Sequence, residues 1–137
     1  MNKLLLTFSI LFIIIIGCTE TNISESEPDP SVPFSKFSSL QEKVFTPRCD
    51  KPGCHGNTNN QADLFLGEGQ AFLSLVGVPS LLFPQMTRVI PDSSSKSLLI
   101  KILKGEVSPR MPLDGGFLSD AVIDTIATWI DKGALNN

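Results

Sequence analysis

The chain has 137 residues, with 11 Lys and Arg against 14 Asp and Glu, a net charge of −3, and 42% hydrophobic against 18% charged residues. That length suits one modest domain with some chain to spare. The mild acidity and the absence of any basic patch argue against a nucleic-acid surface and against strong steering of a charged partner.

Lys3 is followed by the apolar run Leu4 to Ile16, thirteen residues where a membrane-spanning helix needs about 20. The run has the length of the apolar core of a secretory signal. It ends in Ile15-Ile16-Gly17-Cys18, which resembles the lipobox of bacterial lipoproteins. The resemblance implies cleavage after Gly17 and lipidation of Cys18; ordinary signal cleavage near Gly17, leaving a free Cys18 thiol, is the alternative. Thr19 rather than Asp after that cysteine points to the outer membrane in the group where the rule applies. The expectation is thus a signal at 1–17 and a protein anchored by lipid in the cell envelope, facing the periplasm.

From Thr19 to Pro33 four acids and three prolines accompany only two sizeable apolar residues, Ile23 and Val32. Such a segment cannot bury enough surface to fold, and residues 18–33 read as a tether. Residues 34–137 hold ten basic and ten acidic side chains, so the expected folded domain is close to neutral.

Within that domain, periodicity predicts four short helices. Phe37, Leu40, Val44 and Phe45 share a helical face, with Ser35 as N-cap and Thr46-Pro47 as the stop. Gln70 to Val76 places Phe72, Leu75 and Val76 together and closes at Gly77. A third segment starts at Ser93 or Ser94, carries Leu98, Leu99, Ile102 and Leu103, and ends at Gly105. The fourth begins at Ser119-Asp120, aligns Val122, Ile126, Trp129 and Ile130, and ends at Lys132-Gly133. Only Arg88-Val89-Ile90 suggests extended chain. The predicted class is all-α, with long connections at 61–68, 78–92 and 106–118. Long loops in a small domain usually carry a function, and with seven phenylalanines scattered from Phe34 to Phe117 they suggest an apolar guest.

Chemistry concentrates in Cys49-Asp50-Lys51-Pro52-Gly53-Cys54-His55, which contains the sole histidine of the chain. Zinc wants four ligands, and there is no second cluster to complete two Cys and one His. A Cys49–Cys54 disulfide suits an exported chain and needs no other residue, but leaves His55 unexplained. Covalent haem needs two thiols and a histidine directly after the second, usually with two residues between the cysteines rather than the four found here. Pro52-Gly53 is a turn dipeptide, and Gly53 can take the positive φ that a longer loop requires. A second iron ligand within the chain would then be Met86 or Met111, the latter in the proline-flanked Arg110-Met111-Pro112.

These motifs in order, CDKPGCHG, Leu75-Val76-Gly77, Arg88-Val89-Ile90-Pro91, Ser97-Leu98-Leu99, Arg110-Met111-Pro112 and the terminal Trp129-Ile130-Asp131-Lys132-Gly133-Ala134, resemble small monohaem c-type cytochrome domains of exported bacterial lipoproteins. The likeness spans essentially all of residues 34–135. It implies a cytochrome c-like fold around one haem c, with thioethers at Cys49 and Cys54, His55 as proximal ligand and Met111 as distal ligand. In place of the group's Pro-Gly-Asp-Pro before the Ser-x-Leu helix stands Pro91-Asp92-Ser93-Ser94, which puts any contact of that loop with haem in question. The implied function is one-electron transfer between redox proteins, not an enzymatic activity. Two alternatives stay open: a disulfide-stabilised binding or structural lipoprotein without haem, and a haem enzyme or gas sensor in which Met111 is displaced.

Overall fold

Phe37, Leu40, Val44 and Phe45 are buried along the first helix in the computed structural model, which describes residues 36–56 and 60–137. The signal, Cys18, the tether, Phe34 and Ser35 lie outside the described residues. Helix α1 (residues 37–48) is α-helical over Phe37–Leu40, π-helical over Gln41–Phe45 and α-helical again over Thr46–Arg48. It therefore runs through Thr46-Pro47, where the sequence predicts a stop. Pro47 stands in the first turn of the last α-helical piece, where a missing N–H costs little, and the wider π turn before it accommodates the ring. Asn137 caps the start of α1: its Oδ1 accepts the Phe37 N–H and its carbonyl accepts the Ser38 N–H, both at 2.9 Å.

Helix α2 (Ala71–Leu75) buries Ala71 and Leu75 and is closed by Gly77 at φ +73°. Helix α3 (Leu98–Lys104) starts later than predicted, since Ser94–Lys96 form a 3-10 turn and Ser97 takes the N-cap position. The reason is a competing use for the Ser97 hydroxyl. Fully buried, it donates to the Ser93 carbonyl and accepts the Ile90 N–H, each at 2.9 Å, and so stitches the preceding loop instead of capping the helix. Helix α4 (Asp120–Asp131) has the expected bounds, with Ser119 at the N-cap, although the Ser119 hydroxyl makes no capping bond. Among the described residues the only β pairing is two isolated bridges, Val76 with Val89 and Pro79 with Thr87, so the class is all-α.

The core joins α1 to α4. Val122, Ile126, Trp129 and Ile130 are buried as their spacing requires, and Ile123 widens the stripe. The Trp129 ring lies 5.3 Å from Phe37, which also meets Phe72 edge-on at 5.4 Å and Phe45 at 5.9 Å. The indole N–H donates to the Leu135 carbonyl at 2.9 Å and folds the tail back onto the helix. Aromatic pairs of this kind contribute about 0.5–1.5 kcal/mol beyond the area they bury. Replacing Trp129 by Ala is expected to cost about 3–5 kcal/mol in denaturant unfolding. A loss under about 0.5 kcal/mol, the range of surface substitutions, would contradict this packing.

Candidate functional site

Helix α1 delivers Cys49 to its C-terminal end, where the Cys49 and Asp50 N–H groups both donate to the Phe45 carbonyl at 2.8 Å. From there the chain coils back on itself. The Cys54 N–H donates to the Lys51 carbonyl at 3.0 Å, and the His55 N–H reaches the Cys49 carbonyl at 3.2 Å. The four residues between the cysteines thus form a closed loop that brings His55 back to the helix end. Gly53 supplies a left-handed φ of +78°, while a side chain at Gly56 would stand 2.9 Å from Asp50 Oδ1 and 3.1 Å from the Lys51 carbonyl. Cys49 and Cys54 are not bonded to each other in this structure, Cys49 half-buried and Cys54 exposed.

Cys49, Cys54 and His55 line one cleft together with Met111. Its water-accessible volume is about 180 Å³, against roughly 10–15 Å³ for a single water site, so it is no packing defect. The walls come from α1, α2, α3 and the loops, with none from α4. Val44 and Phe45 of α1, Leu64 and Leu66 after the motif, Leu75 of α2, and Leu98, Leu99, Ile102 and Leu103 of α3 make them overwhelmingly apolar. The three long loops all contribute, and the cleft mouth carries exposed Cys54, Leu82 and Leu113. Of the phenylalanines, Phe45 and Phe83 face the cleft, whereas Phe37 and Phe72 join Trp129 in the aromatic core.

Met111 is held by several ties. Its N–H donates to the Ile102 carbonyl at 3.2 Å, and Arg110 Nε donates to the Leu103 carbonyl at 2.9 Å. The Arg110 guanidinium then lies 4.2 Å over the Phe117 ring. Gly105, at φ +78°, lets that side chain pass within 3.0 Å of where a Cβ would stand. Farther along the same loop, Arg48 donates to the Gly116 carbonyl and Lys51 pairs with Asp114 at 3.6 Å, linking it to the cysteine loop. Met86 is half-buried in the 78–92 loop and does not line the cleft.

Burial sets the electrostatics. It pushes the Cys49 thiol up to about 11, with Arg48 and Lys51 opposing, and so keeps it protonated at neutral pH. Burial also lowers His55, which favours the neutral imidazole that can bind a metal. The carbonyls of Gln61 and Leu64 draw the ring the other way, yet His55 Nδ1 stays buried with no hydrogen-bond partner among the described residues. No three His, Cys, Asp or Glu side chains converge into a metal-binding group among those residues.

Sequence reasoning missed Arg88 as part of this site. It is 7% exposed, lines the cleft, and donates to the carbonyls of Ser74 at 2.8 Å, Ala62 at 2.9 Å and Asp63 at 3.0 Å. A signal was present, for Arg88 is the only charged residue between Glu68 and Asp92. Comparison with family models, with curated proteins and with solved structures gives no match.

In protein made without haem attachment and kept reduced, so that both thiols are free, maleimide should modify exposed Cys54 well before Cys49 at pH 7.5. The rise of the Cys49 pKa from 9.0 to about 11 cuts its thiolate fraction about 100-fold, one pKa unit being tenfold. Peptide mapping of a time course reads the order, and equal rates would contradict the burial of Cys49.

Proposed function

We propose that the cleft holds one covalently attached haem and that the protein is a one-electron carrier. The observation that supports this reading best is the company kept in the cleft. Cys49, Cys54, His55 and Met111, the residues that the resemblance implies would attach and ligate a haem, line the same apolar space, and Met86, the competing thioether, does not.

The residues present suit the group. Burial keeps the His55 ring neutral, as a metal ligand requires before its metal is bound. The donor set also fits. A bare metal ion would need a convergent cluster of side chains, whereas haem brings its own four nitrogens and asks the chain for two axial ligands only. A disulfide-stabilised, cofactor-free protein would use neither the imidazole nor Met111.

Haem, when bound, supplies a reversible one-electron couple, which His/Met ligation shifts toward higher potential. The chain's own residues do the rest. Cys49 and Cys54 would tether it, Leu98, Leu99, Ile102 and Leu103 would keep water from it, and the Arg110 and Arg48 contacts hold the Met111 loop in place. If His55 and Met111 both held the iron, no site would be left open for a substrate, which favours a carrier over an enzyme. In the same reading residues 1–33 export the protein and anchor it through Cys18, so that its redox partners are envelope proteins within reach of the tether.

Visible spectra of protein made with a cytochrome c maturation system test the proposal. The wild type should be coloured and the Cys49→Ala, Cys54→Ala double variant colourless. Met111→Ala should lose the weak Fe(III)–sulfur band and bind carbon monoxide when reduced, while Met86→Ala should behave as wild type. Reversed behaviour of the two methionine variants would make Met86 the ligand. Wild-type protein that stays colourless would overturn the proposal.

A further inference from the structure

Ala62 and Asp63 are consecutive non-glycine residues in the left-handed region, at φ +58° and +52°. Such a backbone is unfavourable for a residue with a Cβ and persists only when its surroundings hold it. The corner lies between Gln61 and Leu64, whose carbonyls act on the His55 imidazole, and Gln61 is itself fixed by its N–H to the Cys54 carbonyl at 2.7 Å. The Leu64 N–H closes the corner on the Gln61 carbonyl at 3.2 Å, and one side chain ties it to the rest of the fold. Arg88 Nη2 donates to the carbonyls of both left-handed residues, and Nη1 donates to the Ser74 carbonyl at the end of α2.

The charge of that guanidinium is the second observation. Arg88 is buried and makes no ion pair among the described residues; Asp63, whose carboxylate acts on it, is exposed to solvent. Three neutral carbonyls satisfy its hydrogen bonds but do not cancel its charge. A buried cation on the wall of an apolar cleft interacts strongly with any charge change inside it, because little water is present to screen it.

We propose that Arg88 is the positioning and tuning residue of the cleft: its fork holds the Ala62–Asp63 corner that seats His55, and its buried charge favours the reduced state of the iron. The proposal rests on the reading of the cleft as a haem site. Reduction removes one positive charge from the cleft, so a neighbouring cation opposes the oxidised form, and its removal lowers the potential.

Three variants separate the two roles, each read in the haem-loaded protein by spectroelectrochemical titration and by guanidinium unfolding. Arg88→Gln should lower the ratio of reduced to oxidised protein at a fixed potential about tenfold, a downward shift of about 59 mV for a one-electron couple, and should unfold at lower denaturant. Adding Ala62→Gly, which relieves the left-handed residue without touching charge, should recover the unfolding midpoint but not the potential. Arg88→Lys keeps the charge and loses the fork, so its potential should stay near wild type while its unfolding midpoint falls. If Arg88→Gln alone does not fold, the double variant gives the potential. An unchanged potential in haem-loaded Arg88→Gln protein overturns this inference alone, whereas wild-type protein that takes up no haem overturns it together with the proposed function.

Discussion

The bond from the His55 N–H to the Cys49 carbonyl, at 3.2 Å, is the constraint on which the rest of the site depends. It closes a seven-residue turn at the end of α1 and fixes two thiols and an imidazole on one wall. The turn forms only because α1 continues past Pro47 to present Cys49, because Gly53 takes a left-handed φ that a side chain would strain, and because Gly56 leaves room where a side chain would meet Asp50 and the Lys51 carbonyl. A helix ending at Phe45 would leave Cys49 in a loop with nothing to register it. The π-helical stretch Gln41–Phe45 is therefore tied to the site, since it lets the helix carry a proline one turn before its functional end.

Around that fixed wall, long loops do what helices would do in a larger domain. Each is tied down at several points rather than packed along its length: Ser97 stitches the 78–92 loop, Arg88 braces the 61–68 corner against α2, and Arg110 and Arg48 rope in the 106–118 loop. Such ties satisfy backbone carbonyls that would otherwise be left unpaired near an apolar cleft. The cleft itself is costly, because its leucines and isoleucines lack contacts on one side. In the proposed reading a large apolar prosthetic group restores those contacts, so loading and folding stabilise each other.

Much of this was legible in the sequence, for identifiable reasons. Helix α4 followed from a clean stripe of Val122, Ile126, Trp129 and Ile130, and Gly77 and Gly105 marked real helix ends because left-handed caps favour glycine. The motif residues were legible because thiols and a histidine at fixed spacing have few uses. The errors arise where one residue serves two demands. Thr46-Pro47 reads as a stop, yet a π turn removes the conflict; Ser93 and Ser94 read as caps, yet buried Ser97 takes that position while bonding elsewhere. Arg88 was missed because its partners are backbone carbonyls, which leave no complementary residue type in the sequence.

The central claim is that Cys49 and Cys54 are attachment points for haem. Mass spectrometry of a tryptic digest of protein made with the maturation machinery tests it directly. Cleavage after Arg48 releases a peptide that begins at Cys49 and keeps Lys51-Pro52 uncut. The account predicts that this peptide carries one haem bound through both cysteines and resists reduction by thiols. A peptide with two free thiols, or with a Cys49–Cys54 disulfide, would contradict it.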